Sequence, residues 1–179
     1  SGLWILTSLY AIGYMRGHHE ENQTRFFAFF AVAISAALAA AFSGNMLTLF
    51  FSYEVLTLST YPLVTHHRTP EALRAGRIYM GILLSTSIGL LLLGVLLTYH
   101  IAGTLSFIQG GILAEHATPL MTGVLLFLYA YGTGKAALMP IHRWLPNAMV
   151  APTPVSALLH AVAVVKTGVF TIVKVVVYI

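Results

Sequence analysis

The sequence predicts an all-α protein, a bundle of about six helices that cross a membrane. Of its 179 residues, 58% are hydrophobic and 8% are charged, and the mean hydropathy is +0.86. A soluble domain carries about 25% charged residues, so this chain lacks the polar side chains that would cover a surface in water. Its apolar residues fall into long runs, and roughly 20 such residues form a helix that spans the hydrocarbon layer. The composition therefore excludes a soluble monomer.

Six apolar runs account for the predicted polytopic transmembrane helix bundle. They cover residues 1–15, 26–43, 45–65, 77–101, 119–141 and 153–178. Thr69, Pro70 and Glu71 form a helix-start signal, so the fourth helix is expected to begin near Pro70, ahead of its membrane span. Residues 102–118 are expected to form a loop, with 105–113 as a candidate interfacial helix. The whole chain, residues 1–179, is expected to be a single transmembrane domain and a fragment of a longer subunit, because it starts and stops inside apolar runs.

The basic residues between the spans predict the orientation of the bundle. The loops 16–25, 66–76 and 142–152 contain arginines, whereas the other two loops contain no Lys or Arg. By the positive-inside rule these three loops face the cytoplasm, and a prokaryotic plasma membrane is the expected location. The net charge of +4 therefore serves orientation, and no nucleic-acid partner is expected. The chain has no cysteine, which excludes disulfides, iron–sulfur clusters and thiolate zinc sites.

Four Glu, Lys or His residues lie well inside the predicted spans, away from the span ends, and are the candidate functional residues: Glu54, Lys135, His160 and Lys166. A charge at the centre of a membrane helix costs about 2.5–3.5 kcal/mol on insertion scales, so such residues normally face a bundle interior or water. Estimated depths place the four in one polar layer that crosses three helices. They are expected to form a proton relay.

The two strongest candidates stand in different local contexts. Glu54 belongs to a polar stripe with Thr57, Tyr61 and Thr65; ordinary hydrogen bonding between helices explains the Thr and Tyr residues but not the Glu. Lys135 follows two glycines and precedes Pro140, which predicts a broken helix around residues 132–140. A lysine that merely extends toward the membrane surface is the alternative at this position.

The histidines are weaker candidates. His160 and Lys166 lie about 120° apart around a regular helix, so they face one site only if that helix is irregular. His142, at the edge of a span, is a candidate for proton uptake from water. The pairs His18–His19 and His66–His67 are expected to be solvated loop residues rather than metal ligands, because adjacent residues seldom bind one ion. No metal site is predicted.

Burial and charge together suggest how the relay would work. Hydrocarbon favours the neutral form of a lysine, and a nearby carboxylate favours the charged form. If Glu54 approaches and leaves Lys135, the proton affinity of Lys135 changes with the distance between them. Separated from Glu54, Lys135 would release its proton toward His160 or Lys166.

Two longer runs carry a family resemblance. Residues 134–148 (GKAALMPIHRWLPNA) and 151–160 (APTPVSALLH) resemble the antiporter-like subunits of respiratory complex I. The same family contains the large subunits of multisubunit Na⁺/H⁺ antiporters and of membrane-bound hydrogenases. Residues 51–54 (FSYE) and 61–63 (YPL) resemble the helix of that family that carries a functional glutamate. The resemblance implies a partial inverted-repeat fold, with Glu54 and Lys135 as its Glu–Lys pair and His160 and Lys166 at its central relay positions.

The resemblance implies proton translocation, with Na⁺ as a candidate coupled ion, within a larger complex. Its partners would be the lipid bilayer and the other membrane subunits of a respiratory, hydrogenase or multisubunit antiporter assembly. Two roles stay open: part of a cation/H⁺ antiporter, or a membrane subunit of an NADH-quinone oxidoreductase or hydrogenase. No cofactor is predicted, because the chain has no redox site and any catalysis would belong to the assembly. The alternatives are a structural subunit that does not conduct ions and a stand-alone channel or carrier.

Overall fold

The computed structural model describes residues 2–113, 117–159 and 163–179, apart from the side chain of Leu3. The described residues form a helical bundle without strands; one isolated antiparallel bridge joins Asn45 and Ser106. The helices are α1 (Gly2–Gly17), α2 (Gln23–Ala41), α3 (Met46–Val64), α4 (Pro70–Thr86), α5 (Leu92–Ala102), α6 (Pro119–Gly132), α7 (Trp144–Asn147), α8 (Thr153–Ala157) and α9 (Val164–Tyr178). The predicted all-α class is confirmed.

Three helical segments of the described residues are long and apolar enough to cross a membrane. They are α2, α3 and the continuous rod Pro70–Ala102, in which a π-helical turn at Ser87–Leu91 joins α4 to α5. The helices α1, α6 and α9 are shorter, with 16, 14 and 15 residues. The helices α2 and α3 form the most extensive helix pair.

The predicted broken helix around residues 132–140 is confirmed. The α-helix of the span 119–141 ends at Gly132, because Gly132, Gly134 and Pro140 favour other backbone conformations. After it come a 3₁₀ turn at Gly134–Ala136 and a second one at Ile141–Arg143. Within the described part of the span 153–178, α8 ends at Ala157 and α9 begins at Val164.

The start of the rod agrees with the sequence prediction, whereas the predicted interfacial helix is wrong. Pro70 opens α4, and the Thr69 side chain accepts a hydrogen bond of 3.1 Å from the backbone N–H of Ala72. Within 105–113 the chain runs non-helically past the turn between α2 and α3. There the backbone N–H of Met46 donates to Leu105 O at 3.0 Å and that of Phe107 donates to Gly44 O at 3.1 Å.

Glycines let the neighbouring helices approach the interrupted part of α6. A Cβ atom on Gly132 would lie 2.7 Å from Cα of Leu91, in the π-helical turn. A Cβ atom on Gly168 of α9 would lie 2.6 Å from the carbonyl carbon of Lys135 and would also meet the backbone nitrogen of Ala136. Real Cβ atoms do not approach other heavy atoms this closely, so the backbones meet only because these residues have no side chain. The interruption is therefore held from two sides.

A lysine near the far end of α9 attaches that helix to the turn after α2. The Lys174 ammonium donates to the Ser43 carbonyl at 2.6 Å, to the Ser43 hydroxyl at 3.2 Å and to the Ala41 carbonyl at 3.3 Å. The last carbonyls of a helix have no partner within it, so a cation stabilises them. Lys174 thus stabilises the packing of α9 against the turn after α2.

The opposite end of the bundle brings together the loops after α1 and after α3. Glu20 Oε2 lies 3.6 Å from His66 Nε2 and 3.7 Å from His67 Nδ1. A pocket of about 330 Å³ lies beside these groups; its other lining residues are His18, His19, Glu21, Asn22 and Arg68. His66 is only 7% exposed and its Nδ1 atom has no hydrogen-bond partner, so the expectation of a solvated loop residue is wrong for His66.

Burial changes the pKa of His66. The loss of hydration on burial lowers the pKa of His66, and the nearby Glu20 carboxylate opposes that shift. The neighbouring His67 and Arg25 lower the pKa of His66 further. His66 is therefore neutral at neutral pH, and its 3.6 Å contact with Glu20 becomes an ion pair only in acid.

We expect Gly168→Ala to destabilise the protein. The added methyl group has no room against Lys135 and Ala136, and overpacking of this kind costs about 1–3 kcal/mol. The measurement is the midpoint of thermal unfolding of the full-length protein in detergent. Gly81→Ala is the matched control, because Gly81 lies in α4 with open space around it, and alanine there favours the helix by about 0.5–1 kcal/mol. Equal midpoints for the two variants would contradict the close approach of α9.

We expect His66→Gln to reduce the loss of stability in acid. A histidine whose folded-state pKa lies below its ordinary value binds a proton more readily in the unfolded chain, so stability falls as the pH drops through about 6.5. The unfolding midpoint is compared between about pH 5.5 and about pH 7.5, the range in which histidines titrate. His18→Gln, at an exposed position, should leave the difference between the two pH values unchanged. A difference that persists in His66→Gln argues against this origin.

Candidate functional site

Lys135 lies at the centre of the bundle, in the 3₁₀ turn that follows α6. The side chain of this lysine is 0% exposed. Lysine is almost never fully buried without specific partners, because removing an ammonium from water is costly. The position of Lys135 follows from the end of α6 at Gly132, which turns the chain away from the helix axis and toward α3. The predicted interruption therefore places a titratable group inside the protein.

The partners of Lys135 come from α3. Its ammonium donates to the backbone carbonyl of Tyr53 at 2.6 Å and to the hydroxyl of Thr57 at 2.5 Å. The same nitrogen lies 3.1 Å from the centre of the Tyr53 ring, a cation–π contact. The backbone N–H of Lys135 donates to the Tyr53 hydroxyl at 2.9 Å. Tyr53 therefore contacts both the backbone and the charged end of this lysine.

Glu54 lies beside this arrangement but is not paired with the lysine. The Glu54 side chain is half-buried, and its Oε1 atom is buried without a hydrogen-bond partner. Among the described residues the ion pairs within 4.0 Å are those of Glu20 with His66 and His67, so Glu54 and Lys135 are farther apart than that. The two charges are nevertheless close enough to interact. The structure thus brings these two predicted residues into one neighbourhood without direct contact.

An aromatic and hydroxyl cluster closes the site on the side of α4 and α7. The Trp144 indole N–H donates to the backbone carbonyl of Gly134 at 2.9 Å. The Trp144 ring packs edge-on against Tyr79, with 5.4 Å between the ring centres. The Tyr79 hydroxyl shares a hydrogen bond of 2.6 Å with Thr60, one turn along α3 from Thr57. Buried polar groups therefore continue along α3 away from Lys135.

The other predicted site residues lie apart from this centre. Lys166 is exposed on the surface of α9. His142 is exposed in the 3₁₀ turn Ile141–Arg143. His160 lies outside the described residues. Among the predicted relay residues with described side chains, Glu54 and Lys135 are the two that the fold places near each other.

Sequence reasoning misses the residues that touch the lysine. Thr57 belongs to the polar stripe of α3, but ordinary contacts between helices account for its hydroxyl equally well. Tyr53 precedes Glu54 and belongs to the same helix face as Thr57, four residues later. That spacing is the available signal, since residues at i and i+4 lie on one face of a helix.

The described residues offer no preformed metal site. No group of three or more His, Asp or Glu residues within ranges 2–113, 117–159 and 163–179 is arranged to hold a metal ion. The centre around Lys135 consists instead of hydroxyl groups, backbone carbonyls and aromatic rings. Such a set binds an ammonium through hydrogen bonds and a cation–π contact.

Comparison with protein families gives a match over most of the chain. The family described as "NADH:quinone oxidoreductase/Mrp antiporter, TM" matches residues 43–179. Both sides of the site, α3 with Tyr53 and the turn with Lys135, lie within the matched region.

Similar proteins come from two kinds of complex. A probable K(+)/H(+) antiporter subunit of Rhizobium meliloti (strain 1021) is 33% identical over 180 residues, which cover 97% of this chain and 17% of that protein. The L subunit of the NADH-quinone oxidoreductase of Escherichia coli (strain K12) is 32% identical over 180 residues, which cover 97% of this chain and 29% of that protein. The chain therefore spans less than a third of the length of either relative.

A solved structure has the same fold. A chain of the Mrp complex from Dietzia sp. DQ12-45-1b superposes with a TM-score of 0.75 at 28% sequence identity. The superposition covers 82% of this chain and 16% of that chain. The helical arrangement described above is thus that of a membrane subunit.

Proposed function

We propose that this chain, which belongs to the NADH:quinone oxidoreductase/Mrp antiporter transmembrane family, translocates protons across a membrane through Lys135. The observation that supports the proposal most directly is the fully buried amino group of Lys135 at the interruption after α6, where it is bound by neutral groups of α3. A buried lysine in a membrane protein is a group that can take up and release a proton within the apolar layer. The similarity to a probable K(+)/H(+) antiporter subunit supports the movement of protons.

Glu54 is proposed to control the proton on Lys135. A carboxylate close to an ammonium stabilises its charge, and the hydrocarbon around the site disfavours that charge once the carboxylate is distant. The unpartnered Oε1 atom of Glu54 and the electrostatic interaction of its carboxylate with Lys135 support this role. A lysine side chain has enough rotatable bonds to move between α3 acceptors and a neighbouring carboxylate.

The other predicted relay residues complete the proposal. His160 and Lys166 would accept the proton that leaves Lys135, and His142 would exchange protons with water. The exposed positions of Lys166 and His142 support contact with groups outside this chain or with solvent. Residues 1–179 are proposed to act as a single transmembrane domain among the other membrane subunits of a respiratory, hydrogenase or antiporter complex.

The orientation is likewise a proposal. The loops 16–25, 66–76 and 142–152 are proposed to face the cytoplasm of a prokaryotic cell, with the lipid bilayer around the bundle. The contact of Glu20 with His66 and His67, and a pocket lined by both Arg74 and Asn147, support a common side for the three loops. Arginine enrichment favours the cytoplasmic side for these loops.

We expect Lys135→Met to abolish proton transport while the complex still assembles. Methionine fills a similar apolar volume but cannot carry a proton. The measurement is proton uptake into inverted membrane vesicles that contain the full-length protein in its native complex, followed with a dye that reports the pH gradient. Assembly is checked by co-purification of the other subunits.

Lys174→Met is the matched control for this experiment. It removes a lysine that also donates to backbone carbonyls, but at the end of the bundle and away from the relay. Transport should persist in this control. Undiminished transport in Lys135→Met would contradict the proposal and favour a structural subunit that does not conduct protons.

A further inference from the structure

Groups of α3 accept the hydrogen bonds of the Lys135 ammonium. A protonated lysine has three N–H donors and no acceptor. Two oxygens, the Tyr53 carbonyl at 2.6 Å and the Thr57 hydroxyl at 2.5 Å, accept from Nζ, and the face of the Tyr53 ring lies 3.1 Å from it at the ring centre. Hydrogen bonds from a charged donor are the strong ones in a buried site. The acceptors on α3 thus form a complete binding site for the ammonium.

The Glu54 carboxylate is the competing acceptor. It belongs to the same helix, one residue after Tyr53 and three residues before Thr57. Its Oε1 atom is buried and unpartnered while the ammonium is bound elsewhere. The ammonium cannot make its full hydrogen bonds to the α3 acceptors and to this carboxylate at the same time. The structure shows the lysine bound to the α3 acceptors.

We propose that Tyr53 and Thr57 are positioning residues that hold the Lys135 ammonium in the arrangement in which it is disengaged from Glu54. The inference rests on the proposed proton transport through Lys135. In this role, the neutral acceptors on α3 stabilise the protonated lysine while it is separated from Glu54, until the proton is transferred.

The two residues hold different parts of the lysine. The Thr57 hydroxyl donates to the Tyr53 carbonyl at 3.1 Å within α3, which leaves its lone pairs free for the ammonium. The Tyr53 hydroxyl accepts the backbone N–H of Lys135 and so fixes the base of the side chain. With the backbone fixed, the ammonium moves by rotation of the side chain alone. Thr57 therefore acts on the charge and Tyr53 on the charge and the backbone together.

Other titratable groups around the lysine are few among the described residues. On α3 they are Tyr53 itself and Glu54, and on α4 the Tyr79 hydroxyl faces Thr60 and is near enough to Glu54 for an electrostatic interaction. On α9 the contact with the Lys135 turn is made by Gly168, and Lys166 is exposed. A change at Thr57 therefore alters the stability of the ammonium without removing a charge.

The test is the pH dependence of proton transport in vesicles that contain the native complex. Thr57→Val keeps the shape of the side chain and removes the hydroxyl acceptor, so the ammonium is less stable when Glu54 is distant. At alkaline pH, transport is limited by the protonation of Lys135. In Thr57→Val the pH above which transport is lost should therefore fall by about one pH unit, the effect of one charged hydrogen bond. Thr57→Ser keeps the hydroxyl and should keep the pH profile of the unchanged protein.

Thr171→Val is the matched control. Thr171 is also 0% exposed, and its hydroxyl donates to a carbonyl of its own helix, that of Thr167, at 2.8 Å. This variant should keep the profile of the unchanged protein. A purely structural role for Thr57 would lower the amount of assembled complex without moving the pH profile.

The possible outcomes separate this inference from the proposed function. The proposal is supported if the alkaline limit of transport shifts in Thr57→Val but stays unchanged in Thr57→Ser and Thr171→Val. The Tyr53 and Thr57 acceptors are called the holding site below. A Thr57→Val profile identical to that of Thr171→Val overturns the holding site, while the loss of transport in Lys135→Met still stands. Transport that survives Lys135→Met overturns the proposed function itself.

Discussion

A helix that ends inside an apolar layer leaves peptide groups without water to bind, and α6 ends in this way at Gly132. Partners for these groups have to come from other parts of the chain. The Tyr53 hydroxyl accepts the N–H of Lys135, and the Trp144 indole donates to the carbonyl of Gly134. Both side chains approach the interruption from helices that are distinct from α6. The peptide groups freed at this interruption therefore need hydrogen bonds from α3 and α7, and these hydrogen bonds fix the two helices beside it.

The same requirement explains why the lysine is held by neutral groups. An ion pair in a low-dielectric interior binds strongly, and a carboxylate in direct contact would retain the ammonium. Carbonyl and hydroxyl oxygens with an aromatic face stabilise the charge less strongly. A site of this kind satisfies a buried ammonium and still permits its discharge, which a structural ion pair does not. Under the proposed function, the distance between Glu54 and Lys135 would decide how readily the lysine gives up its proton.

The sequence predicts the helical class, the long spans and the start of α4 at Pro70, because apolar runs and the Thr69 cap act locally. It also predicts the interruption near Lys135, since glycine and proline disfavour a helix wherever they stand. The contact of Lys135 with Tyr53 depends on how α3 is rotated about its axis, which no local pattern specifies. The burial of His66 results from the packing of a loop against Phe26.

The π-helical turn at Ser87–Leu91 has a consequence for insertions and deletions in this rod. A π turn holds one residue more than an α-helical turn, so α4 and α5 follow different helical registers. Deleting one residue there would make the rod regular and rotate the contact face of α5 by about 100° relative to α4. Gly94 would then no longer face Tyr129 of α6. The length of this short segment is accordingly under stricter constraint than the identity of its apolar residues.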